Sequence, residues 1–523
     1  MKHQIRGCAA VIVLMALLLV ITPARAWADE NGDRAYDLVR QAIALIVNTP
    51  ADVDAISDKI DAALSAKDQS QVQIPLVQQA KDALARGNLH RVRALLEKSI
   101  GARGSGRIAA VEAMPGRGSL SGGDWVMLGL SVLVGVVGIV AAAVLRPRHL
   151  PRPGPTPRGD PVMSRTAETE PVPTGPEPTR RGVFGRAVDA VDERLGIRAL
   201  EYPVPAHANT LGYSLGGLTA VALVILIVTG IVLAQFYHPG PGGANESVRH
   251  IVTNVYLGRW VRGVHFWAAE AMYVLAILHL LRVYFTGSYK RPREANWLIG
   301  VAMFALIMGA LFTGTVLRWD QEGFEVLGRN LELARLLGGL GFWFTGGFSS
   351  ASPLLVRLYV AHVSVLPALI LILLVLHALL VKYHKISPRP DNPTETGEPF
   401  EPFTHHLRRI GALGLVLLGG LGVLAVLFPP GVGPTPVEGI EVTRPPWMYW
   451  WMFSLQNWVG RSGILWGGII LFALLIALPF VDRNPRRYWR QRPLAIGIGA
   501  LVLAAIIILT VLGAITTPAQ HLG

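Results

Sequence analysis

The sequence predicts an all-α protein: a polytopic bundle of membrane-spanning helices that carries a small helical extracytoplasmic domain. The chain has 523 residues, of which 51% are hydrophobic and only 16% are charged. Eight stretches are apolar over roughly 20 residues, the length that an α-helix needs to cross a bilayer. Residues 29–123 instead show the mixed apolar and polar pattern of helices that pack in water.

The first 28 residues have the pattern of a secretory signal peptide. Lys2 and Arg6 precede an apolar run over 8–21, and small residues around Ala26 suit cleavage. The alternative is an uncleaved membrane anchor. Cys8 is the only cysteine, so a cleaved chain would have no disulfide and no thiolate ligand for a metal. A cofactor would then bind through histidine or without a covalent bond.

Residues 29–123 are predicted to form the small helical extracytoplasmic domain. Thr49-Pro50 is a good helix start, Gly87 is a good helix end, and a further helix is predicted over 90–100. No catalytic constellation falls in this region. His90 has no ligand-type neighbour in the sequence and is predicted to be an exposed surface residue.

One membrane span follows the small domain, at residues 124–146, and seven more follow a linker. Residues 147–182 contain ten prolines and are predicted to be a cytoplasmic linker, semi-rigid or disordered. A candidate surface helix follows at 183–198. The seven core spans are predicted at 211–236, 261–285, 297–317, 354–381, 409–428, 463–481 and 493–515.

The distribution of basic residues predicts which side of the membrane each loop faces. A cleaved signal peptide places the small domain outside, so the first span runs inward and the linker lies inside. The loops assigned to the inside then hold 14 Lys and Arg in 54 residues, whereas the outer loops hold 8 in 95. This agrees with the positive-inside rule. Topology therefore explains the net charge of +13, and no nucleic-acid motif accompanies it.

Two pairs of histidines inside apolar helices are the main candidates for a functional site. His265 and His279 are 14 residues apart, and His362 and His377 are 15 apart. Each pair is separated by roughly 21 to 23 Å along its helix and lies within about 40° to 60° of one face. Ionisable residues in a bilayer are costly, so they indicate function. If the helices face each other, they can bind two stacked haems, one near each membrane surface.

Glycines repeat the histidine spacing in the neighbouring helices. Gly216 and Gly230 are 14 residues apart in the first core span, and Gly300 and Gly314 are 14 apart in the third. They are predicted to let a flat haem approach the backbone, although glycines also serve ordinary helix packing in membranes. The shared period favours contact with haem.

Two arginines are candidates for binding the haem propionates. Arg262 and Arg282 each lie three residues from a histidine, His265 and His279 respectively, and one is near each surface. Arginine binds carboxylates through charge-assisted hydrogen bonds. The alternative is that both arginines anchor the helix at the membrane interface.

Residues from about 187 to 515 resemble cytochrome b of the Rieske–cytochrome b complexes, specifically the b6f-type branch. Residues 183–390 are similar to its cytochrome b6 and residues 401–515 to its subunit IV, here fused. The motifs that carry the resemblance are Arg262-Gly263-Val264-His265, His279-Leu280-Leu281-Arg282, Lys290-Arg291-Pro292-Arg293-Glu294, Trp319-Asp320-Gln321 and Arg357-Leu358-Tyr359.

The resemblance implies a dihaem cytochrome b subunit that oxidises quinol and couples electron transfer across the membrane to proton translocation. It implies two b-type haems, His265 with His362 holding the outer one and His279 with His377 the inner one. It also implies a Rieske iron–sulfur protein, a c-type cytochrome, membrane lipid and a homodimeric complex as partners. The expected location is the bacterial cytoplasmic (inner) membrane. Quinone would be reduced at the inner side, near 382–385.

Two positions depart from the family pattern. The b6f-type proteins have a cysteine that attaches an extra haem where this chain has Ser214, so that covalent bond is impossible. The family's Pro-Glu-Trp-Tyr, whose glutamate accepts a proton from quinol, is replaced by Pro445-Pro446-Trp447-Met448. Quinol oxidation releases protons and needs a base. Asp320, Glu322, Glu438 and Glu441, acids of the outer loops, are candidate replacements. The alternative is that each is a solvated loop acid.

Two other functions stay open. The missing glutamate, and Arg318 in place of a family proline, favour a dihaem quinone-reactive membrane anchor of a redox complex without a Rieske protein. A transporter or structural scaffold on an inherited fold is the non-enzymatic alternative. Lack of an iron–sulfur signal in the purified complex would favour the anchor, and lack of two b-type haem bands would favour the scaffold.

Overall fold

The structure, a computed structural model, describes the helical bundle and most of its loops. It describes residues 34–100, 120–145, 201–390 and 400–516, apart from residues 49, 51, 338–340, 343, 350, 439 and 461. The predicted signal peptide, the proline-rich linker and the candidate surface helix at 183–198 lie outside the described residues.

Helices make up most of the described part. They are α1 (Ala35–Asn48), α2 (Val53–Ser65), α3 (Ile74–Ala85), α4 (Leu89–Ser99), α5 (Gly122–Val144), α6 (Leu211–Ala234), α7 (Ala244–Thr253), α8 (Gly258–Phe285), α9 (Glu294–Leu317), α10 (Gln321–Leu336), α11 (Leu354–His384), α12 (Phe403–Leu427), α13 (Trp450–Val459), α14 (Ser462–Val481) and α15 (Pro493–Ile515). Two short strands, β1 (Pro203–Pro205) and β2 (Phe400–Pro402), pair antiparallel.

Eight of the described helices are long and apolar enough to cross a membrane: α5, α6, α8, α9, α11, α12, α14 and α15. They coincide with the eight predicted spans, so the predicted helical membrane bundle is confirmed. Helices α6, α8, α9 and α11 surround an apolar core that includes Leu226, Met272, Ile307 and Ile370. Met272 lies midway along α8 between the two histidines, so this core separates two sites at different depths.

The first span, α5, belongs to the bundle because it packs closely against α12. A side chain at Gly138 of α5 would come within 2.6 Å of the α12 backbone, and one at Gly419 of α12 within 2.5 Å of the α5 backbone. Small residues allow such backbone contact in membranes. Arg259 of α8 also pairs with Asp124 at 2.6 Å, and Arg409 donates to the last carbonyl of α5 at 3.0 Å.

Helices α1 to α4 form a small bundle at the end of the molecule that carries His265. Their apolar core continues into the loop that precedes α13, through Val437, Ile440 and Val442. Burial of these three side chains removes apolar surface from water, at about 25 cal/mol per Å². The small bundle and this loop therefore share one core. We call this end of the molecule the outer end.

Two predicted helix boundaries in the small bundle can be compared with the structure. Helix α2 begins after Asp52, whose carboxylate accepts a hydrogen bond from the backbone N–H of Ala55 at 3.1 Å. The predicted start at Thr49-Pro50 was therefore a few residues too early, because the capping carboxylate lies beyond the proline. Gly87 follows α3 with a φ of 70°, a left-handed conformation that suits glycine, so the predicted end is confirmed.

Three short helices in the outer loops, α7, α10 and α13, were missed by the sequence reading. Helix α10 holds the loop before α13 through the buried carboxylate of Glu325, which accepts hydrogen bonds from the N–H groups of Val442 (2.9 Å) and Thr443 (3.0 Å). Arg329, one turn further on, donates to the same carboxylate at 3.2 Å. The loop is thus fixed on one side by α10 and on the other by the small bundle.

A buried polar cluster joins the two halves of the bundle at the opposite, inner end. Asp482, after α14, lies 3.0 Å from Lys290 Nζ and 3.1 Å from Arg492 Nη1. Tyr289 donates its hydroxyl proton to the same carboxylate. Burial lowers the pKa of Lys290, and the carboxylate opposes this shift. One carboxylate therefore neutralises cations from two segments that are far apart in sequence.

Candidate cofactor sites

The structure brings the four histidines together as two pairs, one at each depth of the bundle. The ring centroids of His265 and His362 are 6.4 Å apart, and those of His279 and His377 are 6.5 Å apart. A metal–imidazole nitrogen bond is about 2 Å long, so one metal ion between two imidazoles holds their centroids roughly 6.4 Å apart. Each pair has the separation that two axial ligands of one metal require.

A π-helical turn in α11 brings His362 and His377 to the same relative facing as His265 and His279 in α8. Residues Ala361–Val365 of α11 form this turn, which contains His362. A π turn takes one residue more than an α turn. The 15-residue spacing of His362 and His377 therefore acts like the 14-residue spacing of His265 and His279.

Two threonines that the sequence reading missed orient the outer histidines. Thr229 Oγ1 lies 2.9 Å from Nδ1 of His265, and Thr313 Oγ1 lies 2.9 Å from Nδ1 of His362. Each hydroxyl donates its own proton to a carbonyl one turn back in its helix, so it accepts from the imidazole N–H. The other ring nitrogen, Nε2, is left as the ligand, an arrangement common in metal sites.

The four predicted glycines each face one histidine. A Cβ added at Gly230 or Gly314 would lie 3.3 or 2.9 Å from the Cε1 atom of His265 or His362. At the inner pair, a Cβ at Gly216 would lie 3.0 Å from His279 Cε1, and one at Gly300 would lie 3.7 Å from His377 Cε1. The missing side chains leave room beside each imidazole for a flat group.

The inner pair lines a cavity of about 590 Å³ that also holds a cation. Arg282 stacks on the ring of Tyr213, 3.4 Å from its centroid, while its buried Nε and Nη2 atoms have no hydrogen-bond partner among the described residues. Nδ1 of His279 is likewise buried without one. Unsatisfied donors of a buried guanidinium favour an anion such as a propionate. Lys382 and His384 line the same cavity.

Arg262 is engaged differently from Arg282. Its two terminal nitrogens donate to the carbonyls of Pro430 and Gly431, at 2.6 and 2.8 Å. Arg262 thus holds the loop after α12 against α8. A propionate at the predicted position would have to compete with these two carbonyls for the guanidinium of Arg262.

The candidate acids of the outer loops occupy three different environments. Both oxygens of the buried Asp320 accept backbone hydrogen bonds at 3.0 Å, from Gly323 and Gly433, so this carboxylate caps α10 and fixes a loop. Glu441 is buried 3.8 Å from Arg329 Nε. Glu438 is exposed.

The sites fit a haem. Each histidine pair supplies two ligands, and no group of three or more His, Cys, Asp or Glu side chains suited to a bare metal ion occurs among the described residues. A macrocycle that supplies the other ligands accounts for the paired imidazoles, the glycine faces and the free guanidinium. Fold and site together define a multi-pass helical membrane protein with two pairs of facing histidines, each spaced for two ligands of one metal ion.

Comparison with known proteins identifies the family. Residues 199–385 match the family described as Cytochrome b/b6/petB. The chain is 40% identical over 191 residues to cytochrome b6 of Heliobacterium mobile, and this alignment covers 36% of this chain and 90% of that protein. It is 36% identical over 221 residues to the menaquinol:cytochrome c reductase cytochrome b subunit of Geobacillus thermodenitrificans, covering 39% and 99% respectively. The chain belongs to the cytochrome b family, and the predicted resemblance is confirmed.

A solved structure extends the likeness beyond the matched residues at the level of the fold. A chain of a hyperthermophilic respiratory Complex III matches with a TM-score of 0.55 and 24% identity, covering 63% of this chain and 92% of that one. At this identity the match is evidence only for a similar arrangement of the helices.

Proposed function

We propose that this chain is the dihaem cytochrome b subunit of a quinol-oxidising Rieske/cytochrome b complex in a bacterial cytoplasmic membrane. Its small helical domain would lie outside, next to the outer histidine pair. The observation that carries the proposal is the separation of the two imidazole pairs, 6.4 and 6.5 Å between ring centroids. Family membership makes haem the group that this separation suits.

In this proposal the four histidines hold two b-type haems, one near each membrane surface. A bound haem takes up and releases one electron at a time. Thr229 and Thr313 keep Nε2 of the outer histidines free for iron, because each accepts the proton on Nδ1. At the inner site, Arg282 would bind a propionate with the two donors that are otherwise unsatisfied.

The substrate and the electron acceptor are inferred from the names of similar proteins. The Geobacillus thermodenitrificans protein is named as part of a menaquinol:cytochrome c reductase. By this similarity, we infer that quinol is the substrate and that a c-type cytochrome lies downstream. A Rieske iron–sulfur protein as the first acceptor and a homodimer as the assembly are further parts of the proposal, which the sequence motifs support. Quinone would be reduced in the inner cavity, where Lys382, His384 and Lys385 offer cationic or proton-donating groups.

Single histidine replacements in the purified complex test this proposal. His265→Ala or His362→Ala should remove only the outer haem, and His279→Ala or His377→Ala only the inner one. Each loss should halve the b-type absorbance in a reduced-minus-oxidised spectrum. Retention of both haems after any of these replacements would refute the pairing.

His250→Ala provides the matched control, since His250 is exposed on α7 at the outer end. It should keep both haems. An iron–sulfur signal in the electron paramagnetic resonance spectrum of the purified complex tests the Rieske partner separately. If both haems are present without that signal, the chain is a haem-containing anchor of another redox complex.

A further inference from the structure

Glu270 is a carboxylate in the interior of a membrane-spanning helix. It lies twelve residues into α8, about 18 Å along the helix axis. Within the eight described spans, the other two carboxylates, Asp124 and Glu294, occupy the first turn of their helices. A carboxylate within a membrane is costly and usually serves a function, with a partner that holds it.

The partner of Glu270 is Trp447, in the short turn that precedes α13. The indole Nε1 of Trp447 donates to Glu270 Oε2 at 2.5 Å. The same indole meets the ring of Tyr273, one turn further along α8, edge to face at 5.4 Å between centroids. The carboxylate is therefore fixed against the loop that the small bundle and α10 hold in place.

Trp447 and Tyr273 line a large apolar cavity between α8, α9 and the last three helices. Its volume is about 1730 Å³, and Phe304, Met308 and Tyr449 also contribute to its wall. An apolar wall with few polar groups suits a lipophilic ring such as a quinol. Glu270 is not itself among the residues that line the cavity, but it lies one turn before Tyr273 and Val274 on the same face of α8. Its carboxylate is therefore placed beside the part of the cavity that Trp447 and Tyr273 line.

Three other titratable groups face Glu270, from α8, α10 and the turn before α13. Glu322 of α10, Tyr273 and Tyr449 are close enough to interact with its charge. Glu322 also pairs with Arg318 at 2.9 Å. Burial raises the pKa of the Glu322 carboxyl above its usual value, and Arg318 opposes that shift.

We propose that Glu270 is the proton acceptor for oxidation of a quinol bound against Trp447 and Tyr273, with Trp447 positioning its carboxylate. This inference depends on the proposed function. Oxidation of one quinol to quinone releases two electrons and two protons. One electron and one proton go to the iron–sulfur partner. The second electron would go to the haem that His265 and His362 would hold, and the second proton to the Glu270 carboxylate, which then releases it outside.

The other outer acids are less suited to this role. Both oxygens of the buried Asp320 already accept backbone N–H groups, and these bonds cap α10 and hold a loop in place. Glu441 pairs with a buried arginine. Glu270 instead accepts a single described hydrogen bond, from the neutral indole of Trp447.

Glu270→Gln in the intact purified complex tests the proposal. Quinol oxidation should fall about 100-fold in kcat, the scale of losing a general base, with little change in KM. Both haem bands should persist, and the acidic limb of the rate–pH profile should disappear. Glu246→Gln, an exposed acid on α7, makes the same chemical change at the outer end and should leave rate and profile unaltered.

Turnover of Glu270→Gln within twofold of wild type, with the same pH profile, would overturn the inference. If the wild-type complex itself does not oxidise quinol, the proposed function fails instead. Trp447→Phe gives a second measurement if Glu270→Gln does not assemble. It removes the donor that stabilises the carboxylate, so the acidic limb should move to higher pH. An unmoved limb in Trp447→Phe contradicts the proposal.

Discussion

Alanine replacement of the four glycines that face the histidines should damage the sites in a definite order. The added Cβ would lie 2.9 Å from the imidazole at Gly314, 3.0 Å at Gly216, 3.3 Å at Gly230 and 3.7 Å at Gly300. Carbon atoms make favourable contact at about 3.5 to 4.0 Å. The first two replacements therefore force the imidazole to move, whereas the last makes an ordinary contact.

The cost follows from these distances. Overpacking of a well-packed site costs about 1–3 kcal/mol, which is roughly a 5- to 150-fold loss of haem affinity. We expect this range for Gly314→Ala and Gly216→Ala, with the loss confined to the outer haem in the first and the inner haem in the second. Gly230→Ala should cost about 1 kcal/mol, and Gly300→Ala should retain haem within about twofold of wild type.

The assay is the haem-to-protein ratio of each purified variant, with the two b-type bands resolved by redox titration. Gly212→Ala is the matched control, since Gly212 lies in the same helix as Gly216 and has no atom within 4 Å of an added Cβ. Haem loss in Gly300→Ala equal to that in Gly314→Ala would refute the distance argument. Haem loss in Gly212→Ala would show that helix stability is the cause.

Two further replacements probe other contacts. Thr229→Val or Thr313→Val removes an acceptor worth about 0.5–1.5 kcal/mol, so the midpoint potential of the outer haem should rise by roughly 20–65 mV while the inner one stays constant. Thr229→Ser should stay near wild type, and a shift in both haems would contradict this account. Asp482→Asn should destabilise the bundle by about 3–5 kcal/mol, because Lys290 and Arg492 are left buried without a counter-charge. Thermal unfolding in detergent measures this loss, and an unchanged midpoint would contradict it.

The spans and the facing of the histidines were predictable because they rest on long-range regularities. A membrane helix needs about 20 apolar residues, so α5 and α15 are visible in the sequence without tertiary information. The spacing of the histidines encodes their faces and depths, because a helix converts residue number directly into rise and rotation. Their neighbours at Gly216 and Gly314 follow the same period.

The remaining site residues were not predicted, and for most of them the reason is that single tertiary contacts decide their roles. Thr229 was missed although a repeated signal exists, since both Thr229-Gly230 and Thr313-Gly314 place a hydroxyl before a predicted haem glycine. Arg262 was predicted as a propionate ligand, yet its donors reach a loop 168 residues away. Glu270 has its partner 177 residues away, and nothing in the local sequence marks that contact.

The π turn around His362 bears on how this chain accommodates an extra residue in a membrane helix. An insertion in a regular helix rotates everything beyond it by about 100°, which would turn His377 away from His279. The wide turn at Ala361–Val365 confines the extra residue to one bulge, so the segment beyond it keeps its facing surface. Chains with different counts of residues between the two histidines can thus build the same pair of sites. Spacing in three dimensions, rather than in residue number, is what such helices preserve.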